Sequence, residues 1–589
     1  MENKLKASVR IVFALAALLA ILAGGLGAGR AAGLVGGQTL TGRLEITYGD
    51  GQSGQTQELY SLVMADGSRT PLFFGETLPV SSEELTALRG ELVTVSGGGQ
   101  DGGMTVTRIG TLNGEAATPD AVLGSKPWVS LLCKFADVTT QPKTPAYFQD
   151  MYRSSYPGMD HHWREQSFDL MNVLGSAATT QWYVLPQPRS YYVYNNAFDF
   201  TRATNDCTAV ANAEIYFPNF VGINMMFNAD LDGFAWGGSR YLTLDGVSKT
   251  FYTTWEPPWG YTDITVIAHE MGHGFGLPHS SGMYGQTYDN QWDVMSDTWS
   301  NCSRLRDATY GCLGQHTISY HKDREGWIGS EATTVNPFTQ QTVTLEQLSQ
   351  TPTTGQLMVK IPISGSSIYY TVEARRNTGT GYDVKLPGSA VIIHQVDPSR
   401  SRPANVVDID LNGNTGDSGA QWVVGEVFND ATNKITVTVN SATTTGFEVT
   451  VCNACNEPPP TATTAPTATP QPTATPLPVP MHVGDLDRAS TASGSKWTAR
   501  VTITVHDANH NPVSGVLVTG AWSAGAKGSA SCTTASDGTC PVTKTNLSSR
   551  TASVTFTITS LTRSGYVYTL PNHDPDGDSN GTVIVVPKP

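Results

Sequence analysis

Three histidines and one glutamate in this chain stand at spacings that can hold a metal ion and activate water. They lie in Thr262-Asp-Ile-Thr-Val-Ile-Ala-His269-Glu270-Met-Gly-His273-Gly-Phe-Gly276-Leu-Pro278-His279. On a helix, His269 and His273 are at i and i+4, so their imidazoles share one face. Glu270 projects beside them, placed to reach water rather than metal. Gly276 can end the helix with φ > 0, and Pro278 keeps it from resuming. The chain can then turn back and bring in His279 as a third ligand. Three protein ligands leave a fourth position open, which is the pattern of a catalytic Zn²⁺ rather than a structural one. Such an ion lowers the pKa of its water toward about 7. Glu270 would take that proton and pass it to the leaving group.

These side chains need a helix, a strand and a turn to place them. Thr262 reads as the N-cap and Asp263 as a first-turn acid. Ile264, Ile267, Ala268, Met271 and Phe275 recur at helical spacing and form a buried face. Trp128-Val-Ser-Leu-Leu-Cys-Lys-Phe135 reads as a buried strand opening the same domain. Trp236 to Thr243, with Gly237, Gly238 and Ser239, reads as an edge strand along which an extended peptide could pair through main-chain hydrogen bonds. A Gly-rich loop leading into a strand is the alternative.

The pattern HExxHxxGxxH resembles that of the metzincin metallopeptidases. Their Met-turn is matched by Trp292-Asp-Val-Met295-Ser296. By that resemblance Met295 forms a hydrophobic floor under the imidazoles. Gly314 to Ile328 looks like the helix that closes such domains. With Asp293-Val-Met-Ser296 and Leu131 to Asp137, it is most similar to the gametolysin (autolysin) branch, and next to immune-inhibitor-type bacterial peptidases. The resemblance spans residues 126–450 and implies a zinc endopeptidase acting on proteins or peptides. Some metzincins carry a Tyr two residues past the Met-turn Met. Asp297 stands there, so no fifth ligand is expected. No Cys precedes Cys133, so residues 33–118 cannot hold a zinc site latent through a thiolate.

The rest of the chain frames this centre. Lys4, Lys6 and Arg10 precede an apolar run from Ile11 to Leu26 and small residues through Ala32. That order is a secretory signal peptide over 1–32, so the protein is expected to be secreted and extracellular. Residues 33–118 alternate as short strands, with a capped helix at Ser81–Leu88, and read as a small β-rich propeptide or accessory domain. Residues 126–335 hold nine of the 12 Trp and form the expected α+β metallopeptidase domain. Residues 336–455 return to β alternation. Residues 456–480 are nearly all Pro, Thr and Ala and form a linker. Residues 481–589, with Trp497, Trp522 and Cys532/Cys540, read as an immunoglobulin-like β-sandwich that could hold a cell-wall or matrix surface. The expected fold is therefore multidomain, an α+β metzincin-like catalytic domain flanked by β-rich domains.

Acidic residues number 51 against 36 basic, for a net charge of −15, so no nucleic-acid partner is expected. The eight Cys allow local pairs at Cys302/Cys312 and Cys532/Cys540, which leaves Cys133/Cys207 as a long-range pair. Cys452-Asn-Ala-Cys455 abuts the linker and reads as structural or unpaired. Two acidic turns, Phe227 to Gly233 and Asp574 to Asn580, read as solvated, with Ca²⁺ as the alternative. The second has Ser579 where an EF-hand loop needs Gly, and Val585 where it needs Glu. His316 and His321, five apart, read as supporting or core residues. A secreted adhesive or carbohydrate-binding protein using the zinc fold as a scaffold is the rival reading. Intact Glu270 argues against it, because a scaffold needs the ligands but not the base.

Overall fold

The computed structural model describes residues 37–456 and 479–589, apart from 53, 101, 114–116, 118–119, 283–287, 297–304, 352–353, 508–509, 564–565 and 569–571. The expected signal segment, Asp297, Cys302 and linker residues 457–478 lie outside the described residues. The protein is multidomain and β-rich, and it divides into two compact units, 1–459 and 460–589.

The first unit begins with strands β1 (Gln38–Gly51), β2 (Thr56–Val63), β3 (Arg69–Phe73), β4 (Leu92–Gln100) and β5 (Gly103–Thr111), with helix α1 (Ser82–Ala87) between β3 and β4. The order β1-β2-β3-β5-β4 closes on itself because β1 also pairs with β4, giving a five-stranded Greek-key barrel of the OB type. Leu44, Ile46 and Tyr48 alternate into its core. Ser81 caps α1 through Oγ on the Glu84 N–H at 3.1 Å.

Next comes a sheet of β6 (Trp128–Lys134), β7 (Gly222–Phe227), β8 (Phe234–Leu244) and β9 (Val247–Glu256), in the order β6-β7-β9-β8. β6, β7 and β9 run parallel, and β8 is antiparallel to β9. β7 is buried along its length, and its one polar side chain, Asn224, donates to the Tyr152 hydroxyl and accepts from that of Thr254. Helix α2 (Phe200–Ala211) is tied to the end of β6 by the Cys133–Cys207 disulfide. Helix α3 (Ile264–Phe275) lies against β8 and β9, and all its residues are buried. Ile264, Ile267, Ala268, Met271 and Phe275 join the main core with Trp128, Trp163 and Trp327.

β8 is not an edge. Its outer ladder is taken by β1, with Thr47 opposite Gly238, Tyr48 opposite Gly237 and Asp50 opposite Ala235. Pairing partners are chosen by the tertiary fold, so the sequence of β8 alone could not exclude an edge position.

Residues 336–455 form a β-rich segment with a core of their own that is tied to the segment carrying the histidines. Ser281–Gly282, just after His279, pairs in parallel with Asn405–Val406 in their sheet. The Trp292 carbonyl accepts from Arg375 Nη1 at 2.5 Å, and the Trp292 indole donates to Thr415 O at 2.9 Å. Arg375 is fully buried, 3.1 Å from Glu373 and 3.0 Å from Asp383. Arg375→Met is expected to destabilise the larger unit by about 3–5 kcal/mol, because it leaves two buried carboxylates without their cation. Chemical denaturation of the two proteins measures this, and a loss below about 1 kcal/mol would show the clamp to be dispensable.

The second unit is a β-sandwich. Its strands are β10 (Val479–Ser493), β11 (Lys496–Asp507), β12 (Leu517–Ser523), β13 (Gly528–Thr533), β14 (Thr539–Ser548), β15 (Ser553–Thr562), β16 (Tyr566–Tyr568) and β17 (Val583–Pro587). They form sheets β14-β11-β10-β16 and β13-β12-β15-β17. Trp497, Ile503, Trp522 and Phe556 fill the space between. Cys532–Cys540 bridges the two sheets. β10 begins at Val479, two residues inside the stretch expected as linker.

Candidate metal centre

Helix α3 starts one residue later than its sequence suggests. Asp263, not Thr262, is the N-cap, and it makes no side-chain cap bond. Its carboxylate instead accepts the Cys312 N–H at 2.8 Å and meets Arg306 at 3.1 Å. Thr262 ends the preceding short helix. At the other end, Gly276 adopts φ 125°, and its N–H bonds the Gly272 carbonyl. That left-handed turn brings His279 back to the helix face.

The three imidazoles meet. Their Nε2 atoms form a triangle with sides of 3.1, 3.2 and 3.2 Å. His269 Nδ1 lies 2.7 Å from the Val294 carbonyl, and His273 Nδ1 lies 2.7 Å from the Leu277 carbonyl. A carbonyl can only accept, so each Nδ1 carries the proton and each Nε2 presents a lone pair to the centre. Burial, with His279 next, pushes His273 down to about 3, so its ring is neutral. Lone pairs held this close repel unless a cation lies among them. A tetrahedral ion with bonds of about 2.0–2.1 Å sets neighbouring nitrogens about 3.3–3.4 Å apart, close to the observed triangle.

A fourth group completes the cluster, and sequence reasoning missed it. Asp50, near the end of β1, places Oδ1 2.7 Å from His279 Nε2. Its Oδ2 lies 3.4 Å from His273 Nε2 and 3.5 Å from His269 Nε2, with no hydrogen-bond donor of its own among the described residues. The Asp50 Oδ2 facing the lone pairs of His269 and His273 is again explained by a cation between them. The buried Asp50, His269, His273 and His279 can hold a metal ion. Burial would raise the Asp50 carboxyl, but the imidazoles, His279 foremost, hold it well below its ordinary range. Tyr288 donates to Asp50 Oδ1, and Tyr48 stacks on His273 at 4.2 Å between centroids.

Glu270 is fully buried, and neither carboxylate oxygen has a hydrogen-bond partner among the described residues. Burial, then Asp50 and Glu256, lift its carboxyl well above the ordinary range. Glu256 at the end of β9 is also buried, and burial pushes it up to about 8. β8 passes directly by Glu270. A Cβ at Gly237 would lie 2.3 Å from the Glu270 carbonyl oxygen, and one at Gly238 would lie 2.2 Å from Ile46 O on β1. The two glycines thus let the strand fit between α3 and β1. Ser239 is buried on the same strand. The cavity left beside Asp50, His269, Glu270 and Tyr288 is about 10 Å³, room for about one water.

Met295 is buried with Leu277 and Val294, and its Sδ would lie 2.5 Å from a Cβ at Gly272. It packs on α3 one residue before His273. Asp293 shapes this turn, accepting from Met295 N, Ser280 Oγ and Thr317 Oγ1 and pairing with His321 at 3.1 Å. His321 therefore supports the turn. His316 lies instead with Glu165 at 2.9 Å. The segment expected as a closing helix contains α4 (Ser319–Arg324), a single short helix.

Cys452–Cys455 and Cys532–Cys540 are disulfides, and Cys312 is also disulfide-bonded. Asp230 and Asp232 face protein donors, Trp259 Nε1 at 3.3 Å and Trp236 Nε1 at 2.9 Å. In the second acidic turn Asp574 and Asp576 approach Asp485, and Asp578 pairs with Arg488 at 3.3 Å. Compared with known proteins, the chain matches no family model and no curated protein.

Proposed function

We propose that this protein is a secreted zinc endopeptidase of the metzincin type, most like the gametolysin branch, and that the structure is its latent form. The observation that carries the reading is the triangle of imidazole Nε2 atoms with Glu270 one residue after His269 on the helix. All-imidazole ligation with one further position suits Zn²⁺. When bound, the ion supplies a Lewis acid for the scissile carbonyl and for water. Glu270 takes a proton from the attacking water at its carboxylate and delivers it to the leaving amine. β8 offers its ladder to an extended peptide substrate, with Gly237 keeping the strand against Glu270. Because Asp50 sits opposite Ala235, the substrate residue taking that register lies at the imidazoles.

Latency follows from the same geometry. Asp50 would take the fourth ligand position of a bound ion, β1 occupies the ladder of β8, and the remaining cavity admits no peptide. Arg89 of the barrel also donates to the carbonyls of His273, Gly274 and Phe275, capping the C-terminus of α3. The immunoglobulin-like C-terminal sandwich behind its linker would hold the enzyme on cell-wall or matrix material.

The test is zinc content and hydrolysis together. The purified chain, with residues 33–118 removed, is expected to hydrolyse a generic protein and to stop when a chelator is added. His273→Ala is expected to carry one zinc fewer per chain and to be inactive. Undiminished zinc in that variant refutes the ligand assignment. Full zinc without hydrolysis favours the scaffold reading.

A further inference from the structure

All four histidines of residues 479–589 converge, although they come from three separate segments. His482 on β10 stands opposite His506 on β11 in the antiparallel register, so both rings leave the sheet on one face. His510 follows in a turn closed by its N–H on the Asp507 carbonyl at 3.0 Å, with φ +61°. His573 arrives from the segment before β17, its N–H bonded to the Val483 carbonyl at 2.8 Å. Ring centroids of His482 and His510 are 5.4 Å apart, and His573 lies 4.5 and 4.9 Å from them. His482, His506 and His510 each offer a ring nitrogen, all within 4.8 Å of one another.

Two features go beyond ring packing. His482 is only 6% exposed, and its Nε2 is buried without a partner among the described residues. Leaving a ring nitrogen unpaired at such depth is costly unless something binds it. Room has also been made for the neighbouring ring. The β10–β11 register slips at Gly484, where a Cβ would lie 2.3 Å from His506 Nδ1.

We propose that His482, His506 and His510, with His573 as a fourth imidazole, bind a late first-row transition dication, Zn²⁺ or Cu²⁺, separately from the His269–His279 centre. All-nitrogen donors select these ions over Ca²⁺ and Mg²⁺, which require oxygen. A bound ion would pin the start of β10, the turn after β11 and the segment before β17 to one another.

The full chain carrying His273→Ala isolates this site from the first. Stripped with chelator, it is titrated with Zn²⁺ alone and, separately, Cu²⁺ alone. One equivalent of either ion is expected to bind and to raise the melting temperature of the sandwich. Adding His482→Ala should weaken binding by about tenfold or more. His510→Asn is the second variant, because Asn tolerates φ > 0 and should leave the metal-free melting temperature unchanged. It should weaken binding similarly. The proposal is overturned if neither ion binds the His273→Ala chain, or if binding and melting are indifferent to His510→Asn and His482→Ala alike.

Discussion

Glu270→Gln is expected to cut peptide hydrolysis by about 10²–10⁴-fold, or about 3–5 kcal/mol of barrier, while zinc and fold remain. The amide matches the carboxylate in shape, so it still fits against β8 at Gly237. It cannot accept and return a proton at neutral pH. Metal should be retained because Glu270 is not among the groups facing the Nε2 triangle. Stability should not fall either. Among the described residues Glu270 has no hydrogen-bond partner to lose, and burial with Asp50 and Glu256 nearby disfavours its charge. Initial rates on a soluble peptide, after removal of residues 33–118 from both proteins, read the effect. A variant within tenfold of the parent would mean that another group moves the proton. Glu256 would then be the first to examine, because it is buried and pushed up to about 8.

The parts of this centre that were legible in the sequence are local. The i, i+4 spacing, Gly276 and Pro278 dictate a helix, a stop and a reversal within 18 residues, and no distant contact is needed to read them. The cap was misread by one residue because Asp263 turns its carboxylate to Arg306 and Cys312, which lie over 40 positions away. Asp50 was illegible for the same reason on a larger scale. It stands 229 positions before His279, in a strand whose alternation signals only burial. Its one local sign is the run Tyr48-Gly49-Asp50-Gly51. A Cβ at Gly49 would lie 2.3 Å from the Trp236 ring, so a close approach to β8 is written there without its partner. The contacts that cross position 335 were illegible because Arg375 is a single buried cation. Its partnership with the Trp292 carbonyl is visible only once both segments are folded. In the C-terminal sandwich, four histidines spread over 92 positions carried no spacing signal, since β-register and a turn bring them together.

Asp50→Ala is expected to raise the activity of the unprocessed chain by about 10–100-fold without bringing it to the level of the processed enzyme. The two limits come from two separate blocks. The first is the carboxylate at the imidazoles. The hydrogen bond that the Tyr288 hydroxyl donates to this carboxylate, as one to a charged group, contributes about 1.5–3 kcal/mol, which is about 10–150-fold in the population of the open site. The second is the ladder between β1 and β8, which uses main-chain groups and survives the substitution. That ladder is intramolecular, and Arg89 on the end of α3 helps to keep β1 in place. Cutting the 112–123 segment should therefore not suffice, because the barrel stays docked until it dissociates or is digested. Asp50→Asn should fall between parent and Ala, keeping the shape of the ligand without its charge. All three proteins should be equally active once residues 33–118 are gone, because the substituted position leaves with them. The measurement is the initial rate on a soluble peptide before and after removal, at matched zinc content. Full activity of the unprocessed parent would show that β1 leaves the cleft freely in solution. An unprocessed Asp50→Ala chain as silent as the parent would assign latency to the strand alone. The carboxylate would then stabilise the zinc centre during folding without controlling when it acts.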